Sequence, residues 1–261
     1  MKMKVKHSLM FSLLVLAVSM TMVSCKYRSE LLYDESSKVI QSRQLKGFER
    51  IDVYGSPTVY YTQADTFSVR IEGPEKIIDD IITKVDGNVL SIRNKGKIGI
   101  VNITFNSINE VKVYVTSPDL VAVQLYGSGD FKAERRVDTD NMNIVLRGSG
   151  DIEFNDIICD KCTSELVGSG NIDVDRLESQ VSSISLVGSG DLSIKQFNVR
   201  STDISLRGSG DVSVTFGEGC LDADCSLVGS GDISLKGRLR DVKYHKTGSG
   251  DIDTERLEVV K

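Results

Sequence analysis

Tryptophan is absent from this chain, and from Gly127 to the end there is one tyrosine, Tyr244. Grooves that process polysaccharides use aromatic platforms, so this scarcity speaks against one along the C-terminal half. Histidine is almost as rare: His7 lies in the N-terminal leader, and His245 is the only other. A Ser-His-Asp triad has that single residue to draw on, and no Gly-x-Ser-x-Gly nucleophile turn accompanies it. A lone histidine in a terminal unit reads as a surface residue. Basic charge is also short. The 261 residues carry a formal net charge of −5, and the first 24 remove three lysines and no acid, leaving −8. That excludes nucleic acid as a partner, which requires a basic face, and unaided binding to anionic lipid.

The chain opens Met1-Lys2-Met3-Lys4-Val5-Lys6 and continues with the apolar run Leu9–Met20, broken by Ser12 and Ser19. The run is too short to span a bilayer and has the layout of a secretory signal. It ends Met22-Val23-Ser24-Cys25, similar to a bacterial lipobox, with Met where Leu is usual. The reading is a signal peptide over residues 1–24 and lipid attachment at Cys25. An ordinary signal peptide followed by an unrelated cysteine is the alternative. Several acyl chains give stable anchoring. Polar residues 25–46 read as a tether.

What the chain has in abundance is one tetrapeptide. Gly-Ser-Gly-Asp begins at Gly127, Gly148, Gly188, Gly208, Gly229 and Gly248, with Gly-Ser-Gly-Asn at Gly168; successive first glycines are 21, 20, 20, 20, 21 and 19 residues apart. Two residues before each stand Leu125, Leu146, Leu166, Leu186, Leu206 and Leu227, and then Lys246. Four after stand Phe131, Ile152, Ile172, Leu192, Val212, Ile233 and Ile252, with mostly polar residues between. Apolar and polar residues thus alternate on both sides of the glycines, which is strand periodicity. A unit of about 20 residues cannot bury its own apolar face, but stacked units can. The expected architecture is all-β: a parallel β-solenoid of about 20-residue turns, with an internal leucine column. Seven turns at about 4.8 Å make a rod of about 34 Å. A propeller blade needs about 40–50 residues. Glycine suits a corner that requires φ > 0.

Upstream, Phe48, Ile51 and Val53 begin an alternating stretch, and Tyr54-Gly55-Ser56-Pro57 resembles a worn corner. Strands are expected at Phe67–Ile71, Val89–Ile92, Ile98–Phe105 and Val111–Val115. Ile77, Ile78, Ile81 and Ile82 have helix-like spacing within Pro74–Thr83, which reads as a short capping helix. Residues 47–126 are then degenerate repeats and a strand-rich N-terminal cap, residues 127–261 the regular solenoid, and 47–261 one continuous domain.

Gly47-Phe48-Glu49-Arg50-Ile51-Asp52-Val53, then Val111–Val115 with Ser117-Pro118-Asp119-Leu120, then the serial corner motif, resemble the head-GIN family of autotransporter adhesins, a domain of unknown function. The resemblance covers nearly all of residues 47–261. It implies a right-handed β-helix-like fold on secreted or lipid-anchored envelope proteins of bacteria, and it supplies no catalytic residues.

Three groups of side chains invite chemistry. Asp130, Asp151, Asp191, Asp211, Asp232 and Asp251 form a column interrupted by Asn171. As a ladder it could hold a cation such as Ca²⁺. As corner residues, the carboxylates instead accept N–H bonds from their own turns, and this capping reading is preferred because Asn171 can do the same. Cys159, Cys162, Cys220 and Cys225 could suggest a four-thiolate zinc site, but the two pairs lie about 14 Å apart along such a rod. In an exported protein, local disulfides Cys159–Cys162 and Cys220–Cys225 fit better, and free buried thiols are the alternative. A phosphate cradle at Gly-Ser-Gly needs a following helix, whereas strands follow here. No cofactor and no firm metal site are expected.

The sequence therefore reads as a non-enzymatic, lipid-anchored envelope protein, an adhesin-like binding or scaffold module. It is expected at the outer membrane with the face undecided, and held there by its N-terminal lipid, with a protein or glycan as the ligand of the solenoid. A polysaccharide-active β-helix enzyme and a Ca²⁺-binding module of the aspartate column are the alternatives.

Overall fold

The computed structural model describes residues 38–95 and 111–260; the leader, Cys25 and the expected strand Ile98–Phe105 lie outside them. The N-terminal part contains β1 (Lys38–Arg43), β2 (Arg50–Gly55), β3 (Thr58–Gln63), β4 (Ser68–Pro74), the single-turn helix α1 (Glu75–Ile78), β5 (Ile81–Asp86), β6 (Val89–Asn94) and β7 (Lys112–Ser117). Then follow β8 (Ala122–Gly127), β9 (Asp130–Asp138), β10 (Asn141–Gly148), β11 (Asp151–Gly168), β12 (Asn171–Gly188), β13 (Asp191–Phe197), β14 (Ser201–Gly208), β15 (Asp211–Phe216), β16 (Asp222–Gly229), β17 (Ile233–Leu239), β18 (Asp241–Gly248) and β19 (Ile252–Val259).

From β8 onward every strand lies parallel to its counterpart one turn away, in the register set by the glycines. Leu125, Leu146, Leu166, Leu186, Leu206 and Leu227 are successive partners in one ladder, and all are fully buried. The parallel β-solenoid with about 20-residue turns is thus the fold. Within a turn the alternation slips twice: Asn155–Asp156 and Asp160–Lys161 are consecutive outward residues. A strand can turn a corner and keep its next apolar residue inside only by such a slip. With Gly-Ser-Gly as the third corner, each turn has three short sides around one core.

The glycines are explained by the corner below each one. The first glycine of each copy has φ between +122° and +148°, a region glycine alone adopts without strain. The following serine N–H donates to the first-glycine carbonyl one turn earlier, at 2.9 Å for Ser149, Ser169, Ser189, Ser209 and Ser230. The second glycine is needed for approach: a Cβ on Gly150 would stand 1.8 Å from the Gly129 carbonyl oxygen. The motif is a backbone stacked on copies of itself.

One turn deviates. Val174 pairs with Ile194, but Leu177 pairs with Gln196, a shortening by one residue. Asn198, at φ 59°, restores the register. The displaced Gln196 points into the core, where its amide donates to Ser182 Oγ and accepts from Thr202 Oγ1, both at 2.7 Å, so its buried polar atoms are satisfied.

The N-terminal turns are stacked out of chain order. β2 lies between β6 and β8, and β3 between β7 and β9. The end is closed by antiparallel strands, β5 on β6, and β4 on β7 with β1 outermost. Lys38–Arg43, expected in the tether, is instead a strand paired with β4. The expected helix shrinks to one turn: Ile81 and Ile82 pair with Asn94 and Arg93 as a strand. At the other end Lys246 replaces the column leucine and binds Asp251 at 2.8 Å; a charge there discourages addition of another turn.

Candidate functional site

The aspartate column is real as a row. Asp130, Asp151, Asn171, Asp191 and Asp211 are ladder partners. Two of the carboxylates accept backbone N–H bonds, from the next turn and not from their own: Asp211 Oδ1 accepts the Asp232 N–H at 3.0 Å, and Asp232 Oδ1 accepts the Asp251 N–H at 2.7 Å. In the middle turns that N–H binds a glycine carbonyl instead, as Asp191 does with Gly170 at 3.2 Å. Asn171 donates its amide to Asp151 Oδ1 at 2.9 Å, separating two stretches of like charge. Burial, and then Asp151, raise the Asp130 carboxyl above its ordinary value. Asp173 is raised in the same way by burial and then by Glu153, Asp151, Asp175 and Asp191. Among the described residues no three His, Cys, Asp or Glu side chains converge as a metal site.

Cys159 and Cys162 flank the Asp160–Lys161 corner and both face inward. Their thiols hydrogen-bond each other, which lowers the Cys159 pKa; the same bond, and then burial, raise that of Cys162. Cys220 donates to the Gln196 carbonyl at 3.5 Å, and burial raises its pKa. Cys225 stands between Ile204 and Tyr244 in a ladder, where burial pushes it up to about 12. All four are free thiols, and three turns separate Cys162 from the Ala223 level beside Cys225. His245 is exposed near Thr247.

The repeat surface offers a strongly polar groove, lined by Asp203, Asp222, Asp224, Asp241, Arg240 and Lys243. A pair of these four carboxylates could suggest glycoside cleavage. Asp222, however, is held by the Arg240 guanidinium through Nε at 3.0 Å and through Nη2. A carboxylate held by two guanidinium N–H groups is already engaged, which suits a structural tie.

The aromatic feature is not legible in the repeats, since its four tyrosines all precede Gly127. Tyr54 and Tyr126 stack on adjacent turns with centroids 5.0 Å apart and planes 7° apart. Tyr60 and Tyr114 stack at 5.3 Å and 20°. Arg70 lies 5.3 Å from the Tyr114 ring and Lys112 5.8 Å from that of Tyr60. Tyr126 donates to Gln124 Oε1 at 2.6 Å. Burial raises the Tyr54 phenol, with Asp52 second, and burial in turn raises Asp52. One signal was available: Tyr54-Gly55-Ser56 and Tyr126-Gly127-Ser128 place tyrosine at the same position of two corners.

Corners consumed by self-stacking, with polar and aromatic side chains displayed on the outer faces, define a parallel β-solenoid. The chain belongs to the family described as "putative auto-transporter adhesin, head GIN domain", whose model matches residues 47–221. Among solved structures it is similar to a "putative adhesin" of Bacteroides fragilis, with a TM-score of 0.71 and 26% identity over 84% of this chain and 97% of that one. A "putative lipid binding protein" of Parabacteroides distasonis gives 0.68 and 23% over 84% and 97%. A "putative adhesin" of Parabacteroides merdae gives 0.65 and 19% over 87% and 98%. No curated protein matches the chain.

Proposed function

We propose that this protein is a non-enzymatic, lipid-anchored rod of the bacterial envelope that serves as an adhesin-like binding or scaffold module. The observation that carries this reading is the corner. Its glycines and serine N–H groups are spent on the neighbouring turn, so the repeated motif builds a stiff rod and leaves recognition to the outer faces. Family membership supports an adhesin-like role. The Met22–Cys25 box supports lipid attachment at Cys25 and an outer-membrane address.

The test has two parts. Incorporation of labelled palmitate should occur in wild type and vanish in Cys25→Ser; equal labelling of both would sink the anchor. A glycan array and cell-binding assay, run beside hydrolase and lyase assays, should show binding without turnover. Turnover of any polysaccharide would promote the enzyme alternative. For the aspartate column we propose a capping role, and stoichiometric calcium uptake with a large rise in melting temperature would replace it with a cation site.

A further inference from the structure

Two rows of outward side chains on the N-terminal turns share one composition. Across β6, β2, β8 and β10 the row is Arg93, Tyr54, Tyr126, Arg147. Across β4, β7, β3 and β9 it is Arg70, Tyr114, Tyr60, Lys132. Each is a stacked tyrosine pair between two cations, and the rows flank the corner at Gly55. On the side toward the repeats the cations are neutralised: Arg147 binds Glu165 at 2.9 Å and Lys132 binds Glu153 at 2.8 Å. On the far side, Arg93 and Arg70 have no carboxylate within ion-pair distance among the described residues.

Charge along the chain follows the same division. Residues 128–261 carry 24 acidic and 16 basic side chains, whereas residues 25–127 carry 13 of each. The chain enters the body at β1, which pairs with β4, the strand of Arg70; β4 in turn pairs with β7, the strand of Tyr114. Entry point and tyrosine row are thus about 10 Å apart at sheet spacing.

We propose that these two rows are the membrane-facing surface of the protein, with the four tyrosines at the level of phospholipid headgroups and Arg70 and Arg93 binding headgroup phosphates. Tyrosine settles at that level because its ring is apolar and its hydroxyl is wet. Arginine matches phosphate with two parallel N–H bonds. An anionic surface repels the acidic repeats and turns them outward. The net charge still opposes unaided binding; the surface acts on a chain already tethered, at an effective concentration in the millimolar range. The inference therefore rests on the anchored reading above.

The test removes dependence on Cys25. The chain from Lys26, with an N-terminal hexahistidine, is tethered to vesicles of phosphatidylcholine, phosphatidylglycerol and a nickel-chelating lipid. The protein has no tryptophan, so Tyr126→Trp or Val228→Trp supplies a single reporter. Both positions belong to one outward row, five turns or about 24 Å apart. A headgroup spin label should quench the reporter at 126 severalfold more than that at 228. Arg70→Gln with Arg93→Gln should remove the difference, and the matching pair of Arg→Lys changes should restore part of it. The lysine pair also serves if the glutamine pair does not fold. Equal quenching at both positions, stronger quenching at 228, or no response to the arginine changes overturns the proposal. So does a shift of the 126 reporter by soluble polygalacturonate when vesicles leave it unchanged, which would assign the surface to an acidic glycan. Quenching at 126 in a protein whose Cys25 takes no palmitate would retire the anchor and leave this surface standing.

Discussion

The turns made from residues 38–95 and 111–127 and those made from residues 128–260 obey the same ladder geometry by different means. In the repeats each new turn lands on the one just completed, so identical corners meet and glycine is required at both of their ends. In the N-terminal part, β2 and β3 are laid down first and then covered on one side by β6 and β7 and on the other by β8 and β9. Unlike corners meet there, and Pro57 is tolerated. Repetition therefore makes a rod uniform, and departure from repetition makes its end distinctive: stacked tyrosines and arginines without acid partners occur where chain order and stacking order differ.

The largest effect should separate the two kinds of corner. Gly150→Ala drives a methyl into the Gly129 carbonyl, and both are held by backbone ladders. The loss should be about 4 kcal/mol or more, within the range of severe backbone clashes. At Gly55 a Cβ would meet nothing nearer than Asn94 Oδ1 at 3.5 Å, so Gly55→Ala should cost only the strain of positive φ, about 1–2 kcal/mol. Equal melting temperatures for the two would show that corner stacking does not discriminate the regions.

Next in size is the leucine column. Leu186→Ala should destabilise by about 2–5 kcal/mol, as truncation of a buried leucine does. Ser185→Ala, on the outer side of the same strand, should change stability by less than about 0.5 kcal/mol. Denaturant unfolding curves decide, and similar midpoints would mean that inner and outer faces are misassigned.

A smaller difference is expected within the aspartate column. Asp232→Ala removes the acceptor of the Asp251 N–H and should cost about 1 kcal/mol. Asp191→Asn should be neutral, since no N–H depends on that carboxylate and the backbone bond to Gly170 persists. Thermal melts of the two beside wild type would expose a wrong capping assignment if their order reversed.

The smallest expected effect is a pH dependence. Asp52, Asp130 and Asp173 are all raised, chiefly by burial. A carboxyl with a higher pKa folded than unfolded makes the native state bind the proton more tightly. Stability therefore falls as pH rises from about 3.8, the ordinary aspartate value, through the raised native values, and is regained on acidification within that window. Asp173→Asn should flatten this slope, and Asp191→Asn should flatten it by less, because Asp191 is the smallest of the charges that raise Asp173. A mutant titrating like wild type would place the acid strain elsewhere.

Much of the architecture was legible because a stacked repeat writes its contacts in the chain. A period of about 20, leucine two residues before each glycine and alternation on both sides reflect one register repeated, so strand type, inner face and corners follow from local pattern. The cap was less legible. Ile77, Ile78, Ile81 and Ile82 suit a helix by spacing, but pairing of Ile81 and Ile82 with β6 overrides that preference. The displaced turn at Gln196 was invisible for a related reason: its polarity suggests solvent, and only Ser182 and Thr202 from neighbouring turns make the interior acceptable.

The sequence by itself determined the repeat, the fold class and the inward leucines, because each depends on residues close in the chain or on strict periodicity. Only the tertiary structure decided that an early turn is sandwiched between later ones. It also decided that Asp211 and Asp232 cap the following turn and that Tyr54 meets Tyr126, and Tyr60 meets Tyr114. Those contacts join residues far apart in sequence with no period between them, and their energy is realised only when whole turns are docked face to face.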